Sequence, residues 1–321
     1  MLRVDGISRR YGELTVVDKL SFTVNEGEFV ALLGPSGCGK STSLKMIAGL
    51  EMPDEGNIEL DGRDITQLSP GERQLAMVFQ SYALFPHLKV EENIIFGLQA
   101  RKVPKDEQKR RLDSVVELVG LGDHLQKKPG QLSGGQCQRV ALARAIVAQA
   151  KLCLMDEPLS NLDAKLRNEM RTEIRALQQR LGMSVIYVTH DQVEAMSMAD
   201  RIVLMNDGKI EQIDVPKALY NSPQTLFTAQ FIGSPPMNII GSGKDRLGIR
   251  PEHIEISDKG MPANVVSCDY HGADTIVLAD VSEQGEAQKL IKIRYPGHAV
   301  FTPLQRLAVR WAPENEHQFP I

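Results

Sequence analysis

The pattern of apolar and polar positions predicts a sheet of buried parallel strands. Residues 29–33 (FVALL), 152–155 (LCLM) and 185–188 (VIYV) are unbroken apolar runs of strand length, as expected for strands buried on both faces. Segments with helical spacing separate these runs, so we expect an α/β domain with a parallel sheet. Residues 202–210 form a further apolar run interrupted by an Asn-Asp-Gly turn, and they predict a hairpin that closes this sheet.

Other parts of the chain carry different patterns. The first 30 residues alternate apolar and polar positions between turn signals, which favours antiparallel strands. Residues from about 88 to 150 are rich in helical spacing and predict a helical insert within the first domain. The stretch GSPPMNIIGSG at 233–243 breaks every periodic pattern, so we place a domain boundary there. We therefore expect a first domain over residues 1–235 and a small β-rich barrel of the OB type over 236–321.

Composition narrows the class of protein. The chain has 321 residues, 42% of them hydrophobic and 24% charged, which is typical of a globular protein. Its net charge of −4 gives no basic excess, so we expect no nucleic acid partner. The N-terminus MLRVDGISRR lacks the apolar segment of a secretory signal, and no run reaches the ~18–20 apolar residues of a membrane span. The four cysteines are widely spaced without a C-x-x-C pair, which favours a reducing compartment over a zinc site or a disulfide scaffold.

The strongest chemical signal is the sequence GPSGCGKST, which directly follows the first buried run and precedes a segment of helical spacing. It matches G-x-x-x-x-G-K-[ST] in the strand–loop–helix context that this phosphate-binding loop requires, which makes a chance glycine-rich turn improbable. In such a loop the backbone amides surround a phosphate, Lys40 reaches the β- and γ-phosphates, and the Ser41 hydroxyl binds Mg²⁺. The predicted nucleotide-binding residues here are Gly34, Pro35, Ser36, Gly37, Cys38, Gly39, Lys40, Ser41 and Thr42.

Two carboxylates stand at the end of the second buried run. Because neighbouring residues at a strand end point in different directions, Asp156 can hold Mg²⁺ through water while Glu157 activates the attacking water. The alternative for such a pair is a helix cap or a turn.

A second candidate anion site lies about a hundred residues after the first. Ser133, Gly134 and Gly135 precede a helical run at 140–147, and this combination of a hydroxyl, bare amides and a helix N-terminus can hold an anion. Taken alone, this second site has no evident purpose.

Five motifs in one chain explain the second site. They are the loop at 34–42, LSGGQ at 132–136, MDEP at 155–158, SNLD at 160–163 and VTHD at 188–191. Together they resemble the ATP-binding cassette superfamily over residues 1 to about 235. The resemblance implies an α/β P-loop NTPase (ABC ATPase) domain with an antiparallel β subdomain, plus a C-terminal OB/TOBE-like β-barrel domain. It also implies ATP and Mg²⁺ as cofactors, and a homodimer in which each ATP lies between the loop of one chain and the LSGGQ of the other.

The resemblance assigns roles to further residues. Tyr11 would stack on adenine, although a lone tyrosine more often belongs to the core. Gln80 would touch Mg²⁺ and the attacking water, and His190 would hydrogen-bond the γ-phosphate, where the alternatives are a surface glutamine and a solvent-facing histidine. Glu157 would polarise the water. Ser133 and the Gly135 amide would contact the γ-phosphate bound by the partner chain, and Asp163 would lie at the dimer seam. The nucleotide-binding residues of the signature are Ser133, Gly134, Gly135 and Gln136.

Further sequence segments resemble those of one branch of transport ATPases. SYALFPHLKVEENI (81–94) resembles the face that docks a permease. FIGSPPMNII (231–240) and LGIRPEHI (247–254) resemble the ATPases of maltose and glycerol-phosphate type importers, and YHGADTIV (270–277) leans toward the glycerol-phosphate branch. Phosphates, sugars, polyols and glycosyl glycerols all remain open as solutes.

This resemblance implies a homodimer peripheral to the cytoplasmic face of the inner membrane. Its partners would be two integral membrane permease subunits and, indirectly, a periplasmic or extracellular solute-binding protein. The alternative is a non-transport soluble ABC ATPase acting on nucleic acid or ribosomes. The chain departs from the branch in two ways: only GSGKDR (241–246) separates the two phrases, which implies an abbreviated C-terminal domain, and Cys137 replaces the usual arginine. Cys38 is either a thiolate favoured by the helix N-terminus or a small space-filling side chain.

Overall fold

The computed structural model describes residues 1–241, 246–282 and 288–319. The chain forms two compact units, Met1–Pro216 and Lys217–Ile321. Residues 242–245 of the predicted short connection GSGKDR lie outside the described residues.

The first unit alternates strands and helices along the chain. Its strands are β1 (Leu2–Tyr11), β2 (Leu14–Val24), β3 (Phe29–Leu33), β4 (Glu55–Leu60), β5 (Arg63–Asp64), β6 (Ala76–Val78), β7 (Leu152–Asp156), β8 (Ser184–Thr189), β9 (Arg201–Asn206) and β10 (Lys209–Asp214). Its helices are α1 (Lys40–Ala48), α2 (Pro70–Arg73), α3 (Val90–Ala100), α4 (Lys105–Val119), α5 (Gly134–Val147), α6 (Ala164–Leu181) and α7 (Gln192–Met198).

The three apolar runs form the centre of a six-stranded sheet. Its strand order is β10-β9-β3-β8-β7-β6, with β10 antiparallel to β9 and the other neighbours parallel. Every residue of β3 and β8 is buried, because one face of the sheet packs against α3 to α6 and the other packs against α1 and the strands β1, β2 and β4. The predicted parallel sheet and its closing hairpin are confirmed.

The N-terminal strands form a second, antiparallel sheet of order β2-β1-β4-β5, in agreement with the alternating pattern. Leu20 and Ile58 from this sheet share one buried core with Leu44 of α1 and Val30 of β3. The helix that follows the phosphate-binding loop is therefore held by both sheets.

Residues 90–147 contain α3, α4 and α5 together with short 3-10 turns at Gly122–His124 and Pro129–Gln131, and no strand. This agrees with the predicted helical insert. Apolar side chains of these helices, such as Ile94 and Val140, belong to the same core as Val185 of the parallel sheet.

The second unit consists mainly of antiparallel strands. They are β11 (Asn238–Ile240), β12 (Leu247–Ile249), β13 (Glu255–Ser257), β14 (Met261–Tyr270), β15 (Asp274–Asp280), β16 (Leu290–Pro296), β17 (Arg306–Arg310) and β18 (His317–Gln318). The described strands form sheets of order β11-β12-β18 and β13-β17-β14-β15-β16. The Asn238 side chain joins them, since it donates to the carbonyl of Lys292 at 2.8 Å and accepts from its amide at 2.7 Å.

Two short helices, α8 (Pro216–Asn221) and α9 (Leu226–Phe231), precede these strands. Residues 217–235, predicted as part of the first domain, group with the second unit in the structure. The reason is the buried Arg250, which donates to the carbonyls of Tyr220 at 2.7 Å, Ile232 at 2.5 Å and Ala229 at 3.3 Å. This tertiary link leaves no periodic signal in the sequence.

Candidate functional site

The phosphate-binding loop connects β3 to α1 with its lysine folded inside. Gly39 begins the helix at a φ of 96°, and a Cβ there would lie 2.5 Å from the Val16 carbonyl oxygen, so no larger residue fits. Lys40 is only 5% exposed, and its Nζ donates to the carbonyls of Gly34 at 2.8 Å and Pro35 at 2.7 Å. Because these acceptors are neutral, the charge of the ammonium remains available to an anion at the helix N-terminus.

Ser41 and Asp156 meet beside this loop. The Ser41 hydroxyl donates to Asp156 Oδ1 at 2.8 Å, so the start of α1 contacts the carboxyl end of β7. Burial raises the pKa of Asp156, and the Ser41 hydrogen bond opposes that shift. A hydroxyl and a partly desolvated carboxylate at hydrogen-bond distance are hard oxygen ligands of the kind that Mg²⁺ prefers, so these residues fit the predicted metal.

Glu157 and His190 form a pair at the ends of adjacent strands. β7 and β8 run parallel with Asp156 beside Val188, so the residues that follow them lie close together. His190 Nδ1 lies 3.2 Å from Glu157 Oε2, and the Glu157 amide donates to the Val188 carbonyl at 3.0 Å. Glu157 has a left-handed φ of 44°, a strained conformation for glutamate that recurs at functional sites.

Gln80 follows the edge strand β6 and reaches the segment after Glu157. Its Nε2 donates to Ser160 Oγ at 3.3 Å, and its carbonyl accepts from Asn161 Nδ2 at 2.9 Å. Ser160 Oγ in turn donates to the Glu157 carbonyl at 2.9 Å. The structure thus connects Gln80 to Glu157 through one serine, while its contact with a metal stays a prediction.

Tyr11 lies at the end of β1 and is 46% exposed. Its hydroxyl donates to the Glu51 carboxylate, a hydrogen bond that raises the pKa of the tyrosine, and the Arg9 guanidinium carbon lies 5.0 Å from the ring centroid. These contacts fix the ring at the surface, and its stacking on adenine stays a prediction.

The signature residues form the first turn of α5. Ser133 Oγ accepts from the Gln136 amide at 3.3 Å, and Gln136 Oε1 accepts from the Ser133 amide at 2.9 Å, a reciprocal helix cap. Gln136 Nε2 also lies 3.0 Å from His124 Nε2. Ser133 and Gly134 are exposed, so this turn is accessible to a ligand.

The second glycine of the signature has a packing role that the sequence pattern does not reveal. A Cβ at Gly135 would lie 2.9 Å from Leu166 Cδ2 of α6. Asp163, whose Oδ1 accepts from the Leu166 amide at 3.0 Å, caps the start of that same helix. Gly135 therefore lets the N-terminal turns of α5 and α6 approach closely.

The structure decides between the alternatives for Cys38. The side chain is 4% exposed, and its burial raises the pKa of the thiol despite the nearby Lys40 ammonium. This burial favours the space-filling interpretation of Cys38 over the thiolate interpretation. Cys137 is also an ordinary thiol, with its pKa raised by burial and its Sγ 3.7 Å from the Pro129 carbonyl oxygen that it donates to.

Arg144 was not found from the sequence. Its guanidinium donates to the carbonyls of Tyr82 and Ala83, each at 2.7 Å, and both of those residues have left-handed φ angles, of 62° and 47°. An arginine on a helix face gives no sequence signal for such a contact, since its acceptors are distant in the chain.

Two family models match parts of this chain. A family model described as ABC transporter matches residues 17–160, and one described as TOBE domain matches residues 247–319. Among the described residues, no helix combines the length and apolar character needed to cross a membrane.

Several curated proteins are similar to nearly the whole chain. The sn-glycerol-3-phosphate import ATP-binding protein of Ruegeria sp. (strain TM1040) is 45% identical, over 97% of this chain and 94% of that protein. Its namesake from Ruegeria pomeroyi is 48% identical, over 92% and 90%. The spermidine/putrescine import ATP-binding protein of Bacillus thuringiensis subsp. konkukian is 50% identical, over 90% and 86%.

Proposed function

This chain belongs to the ABC transporter family as the ATP-binding, ATP-hydrolysing subunit of an importer, and we propose that it powers uptake of a carbohydrate or glycerol-linked solute. The observation that carries the ATPase role is the convergence of Lys40, Ser41, Asp156, Glu157 and His190 at one edge of the parallel sheet. Two observations support the solute class. The segments 231–240 and 247–254 resemble those of maltose and glycerol-phosphate type importers, and the two Ruegeria relatives are named for sn-glycerol-3-phosphate import.

In this proposal each side chain has a distinct part in hydrolysis. Lys40 leaves its carbonyl acceptors to bind the β- and γ-phosphates, and Glu157 accepts a hydrogen bond from the attacking water and orients it. His190, already 3.2 Å from Glu157, donates to the γ-phosphate. Ser41, Asp156 and Gln80 would hold Mg²⁺, which supplies charge neutralisation at the phosphates.

The second anion site fits a dimer in this proposal. Ser133 and Gly134 are exposed at a helix N-terminus, and the hydroxyl of Ser133 is used within its own turn. A nucleotide held by the loop of a second copy can therefore reach these groups, with Asp163 at the seam. Two such copies would work on the cytoplasmic face of the membrane beneath two permease subunits, with a solute-binding protein acting from the other side.

The catalytic assignment is tested by Glu157→Gln, which keeps the size and removes the charge. We expect this variant to bind ATP normally, to lose steady-state hydrolysis and to accumulate as an ATP-bound dimer in size-exclusion chromatography. Glu169→Gln is the matched control, because Glu169 is an exposed carboxylate on α6 and its loss should leave activity unchanged. Normal hydrolysis by Glu157→Gln would disprove the role of Glu157.

A polyamine is the second candidate solute, because relatives named for spermidine/putrescine import are 47% to 50% identical. The two candidates differ in charge, since glycerol phosphate is an anion and polyamines are cations. Co-purification of the chain from membranes should recover two integral membrane proteins. ATPase assays of that complex with candidate solute-binding proteins, each loaded with one solute, then identify the solute as the one that stimulates hydrolysis.

A further inference from the structure

A buried carboxylate on α7 lies behind the histidine at the end of β8. Glu194 is 4% exposed, and its Oε2 accepts two hydrogen bonds, from Tyr187 Oη at 2.8 Å and from Thr189 Oγ1 at 2.7 Å. Both donors are hydroxyls of β8 that are themselves buried. Because an unpaired buried carboxylate is costly, these two bonds hold Glu194 in one position.

The Thr189 hydroxyl has a second bond that spans His190. While it donates to Glu194, its oxygen accepts from the Asp191 amide at 2.9 Å. One hydroxyl thus fixes the backbone on both sides of the histidine. Asp191 is held in turn, since its Oδ1 accepts from the Val193 amide at 2.7 Å.

Other groups near this network have different partners. Arg167, the cation facing this turn from α6, lies 3.6 Å from the Asp191 carboxylate and donates to the Leu162 carbonyl at 3.0 Å. Glu194 is therefore bonded to hydroxyls rather than to a cation. Burial raises the pKa of Glu194, and the Thr189 and Tyr187 hydrogen bonds act against that shift.

We propose that Glu194 is a positioning residue for ATP hydrolysis, which acts through the Thr189 hydroxyl to hold His190 in contact with Glu157. His190 itself is 54% exposed, so its own surroundings do not fix the imidazole. The buried bonds at Thr189 supply the rigidity that the exposed side chain lacks. This inference rests on the proposed function, in which His190 binds the γ-phosphate.

The test compares kcat and KM for ATP among variants of the full-length chain. Glu194→Leu and Thr189→Val remove the two ends of the central hydrogen bond, and Glu194→Gln and Thr189→Ser keep an acceptor and a donor there. We expect the first pair to lower kcat about tenfold, the equivalent of one lost hydrogen bond, with KM changed by less than about twofold. The conservative pair should restore most of kcat. Ser197→Ala is the control, because this exposed hydroxyl on the same helix bonds, within the described part of the chain, to carbonyls of its own helix.

The double variant Thr189→Val/Glu194→Leu separates positioning from general damage. If both residues act through one hydrogen bond, its kcat should match that of the single variants within about twofold. A loss equal to the product of the two single effects would overturn the proposal. So would a rise in KM equal to the fall in kcat, or a failure of Glu194→Gln and Thr189→Ser to restore activity.

Variants made in the His190→Ala protein test the positioning role of Glu194 separately from the proposed function on which it rests. In His190→Ala, adding Glu194→Leu should lower the residual hydrolysis no further, and a further tenfold loss would refute the positioning role. Full activity of His190→Ala alone would instead refute the catalytic role of His190. Circular dichroism and ATP binding establish that each variant is folded, and Thr189→Val, which keeps the side-chain volume, remains informative if Glu194→Leu does not fold.

Discussion

Arg73 provides a sharp test of how the phosphate-binding helix is anchored. The side chain is 2% exposed and donates to four carbonyls. Two of these, Met46 and Ile47 at 2.6 and 2.9 Å, belong to the last turn of α1. The others, Thr66 and Leu68 at 2.6 and 2.9 Å, follow β5. The guanidinium therefore joins the C-terminal end of α1 to a separate segment.

The structure gives the size of the expected effect. Each hydrogen bond from a charged donor contributes about 1.5–3 kcal/mol to stability. Burial of the guanidinium lowers the pKa of Arg73, and the free-energy cost of this burial offsets part of the contribution of the four hydrogen bonds. We expect Arg73→Met to lower the free energy of unfolding by about 3–5 kcal/mol, a large part of the ~5–15 kcal/mol of a typical domain. Arg73→Lys should lose about half as much, because one ammonium cannot reach both segments.

The assay is urea denaturation of the full-length chain followed by far-ultraviolet circular dichroism, which reports mainly on the helices of the first unit. The midpoint should shift without a change in the denaturant dependence. The control is Arg63→Met, since Arg63 is an exposed arginine of β5 and should change stability by less than about 0.5 kcal/mol. If Arg73→Met and Arg63→Met were equally stable, the anchoring argument would be wrong.

Three further predictions follow from the geometry. Gly135→Ala should lower kcat by up to about tenfold, because its Cβ would lie 2.9 Å from Leu166 Cδ2 and the leucine side chain would have to move. Gly130→Ala is the control and should leave steady-state hydrolysis unchanged, because, its neighbours in the chain aside, no atom of the described residues lies within 4 Å of a Cβ placed there. Iodoacetamide should alkylate Cys38 more slowly than the less buried Cys268, as followed by mass spectrometry. Faster alkylation of Cys38 than of Cys268 would contradict the raised pKa of the Cys38 thiol. Hydrogen bonds from Arg110 and Arg111 lower the pKa of Glu107 to about 2 in the folded chain, whereas the pKa of an unfolded glutamate is about 4.3. The Glu107 carboxylate should therefore stabilise the fold fully above about pH 4.3, and this stabilisation should be lost as the pH falls toward about 2. The melting temperature of Glu107→Gln should therefore lie below that of the unaltered chain near neutral pH, and the two should converge in acid. A difference in melting temperature that does not change with pH would refute the stabilising role of the Glu107 carboxylate.

The parallel sheet, the phosphate-binding loop and the candidate catalytic residues can all be predicted from the order of the amino acids. These features are local: an unbroken apolar run such as 29–33 specifies a buried strand, and the spacing from Gly34 to Ser41 specifies the loop. The pair formed by Glu157 and His190 could also be anticipated, because both follow buried strands and parallel strands bring their carboxyl ends together.

Features that depend on contacts between distant segments become visible only in the folded chain. The burial that raises the pKa of the Cys38 thiol, the approach of Leu166 to Gly135 and the hydrogen bonds of Arg73 involve residues with no common periodicity. Arg250 likewise draws residues 217–232 into the second unit by binding their carbonyls. Backbone carbonyls are the same in every sequence, so the residues that will be bonded to a buried arginine become identifiable only when the chain is folded.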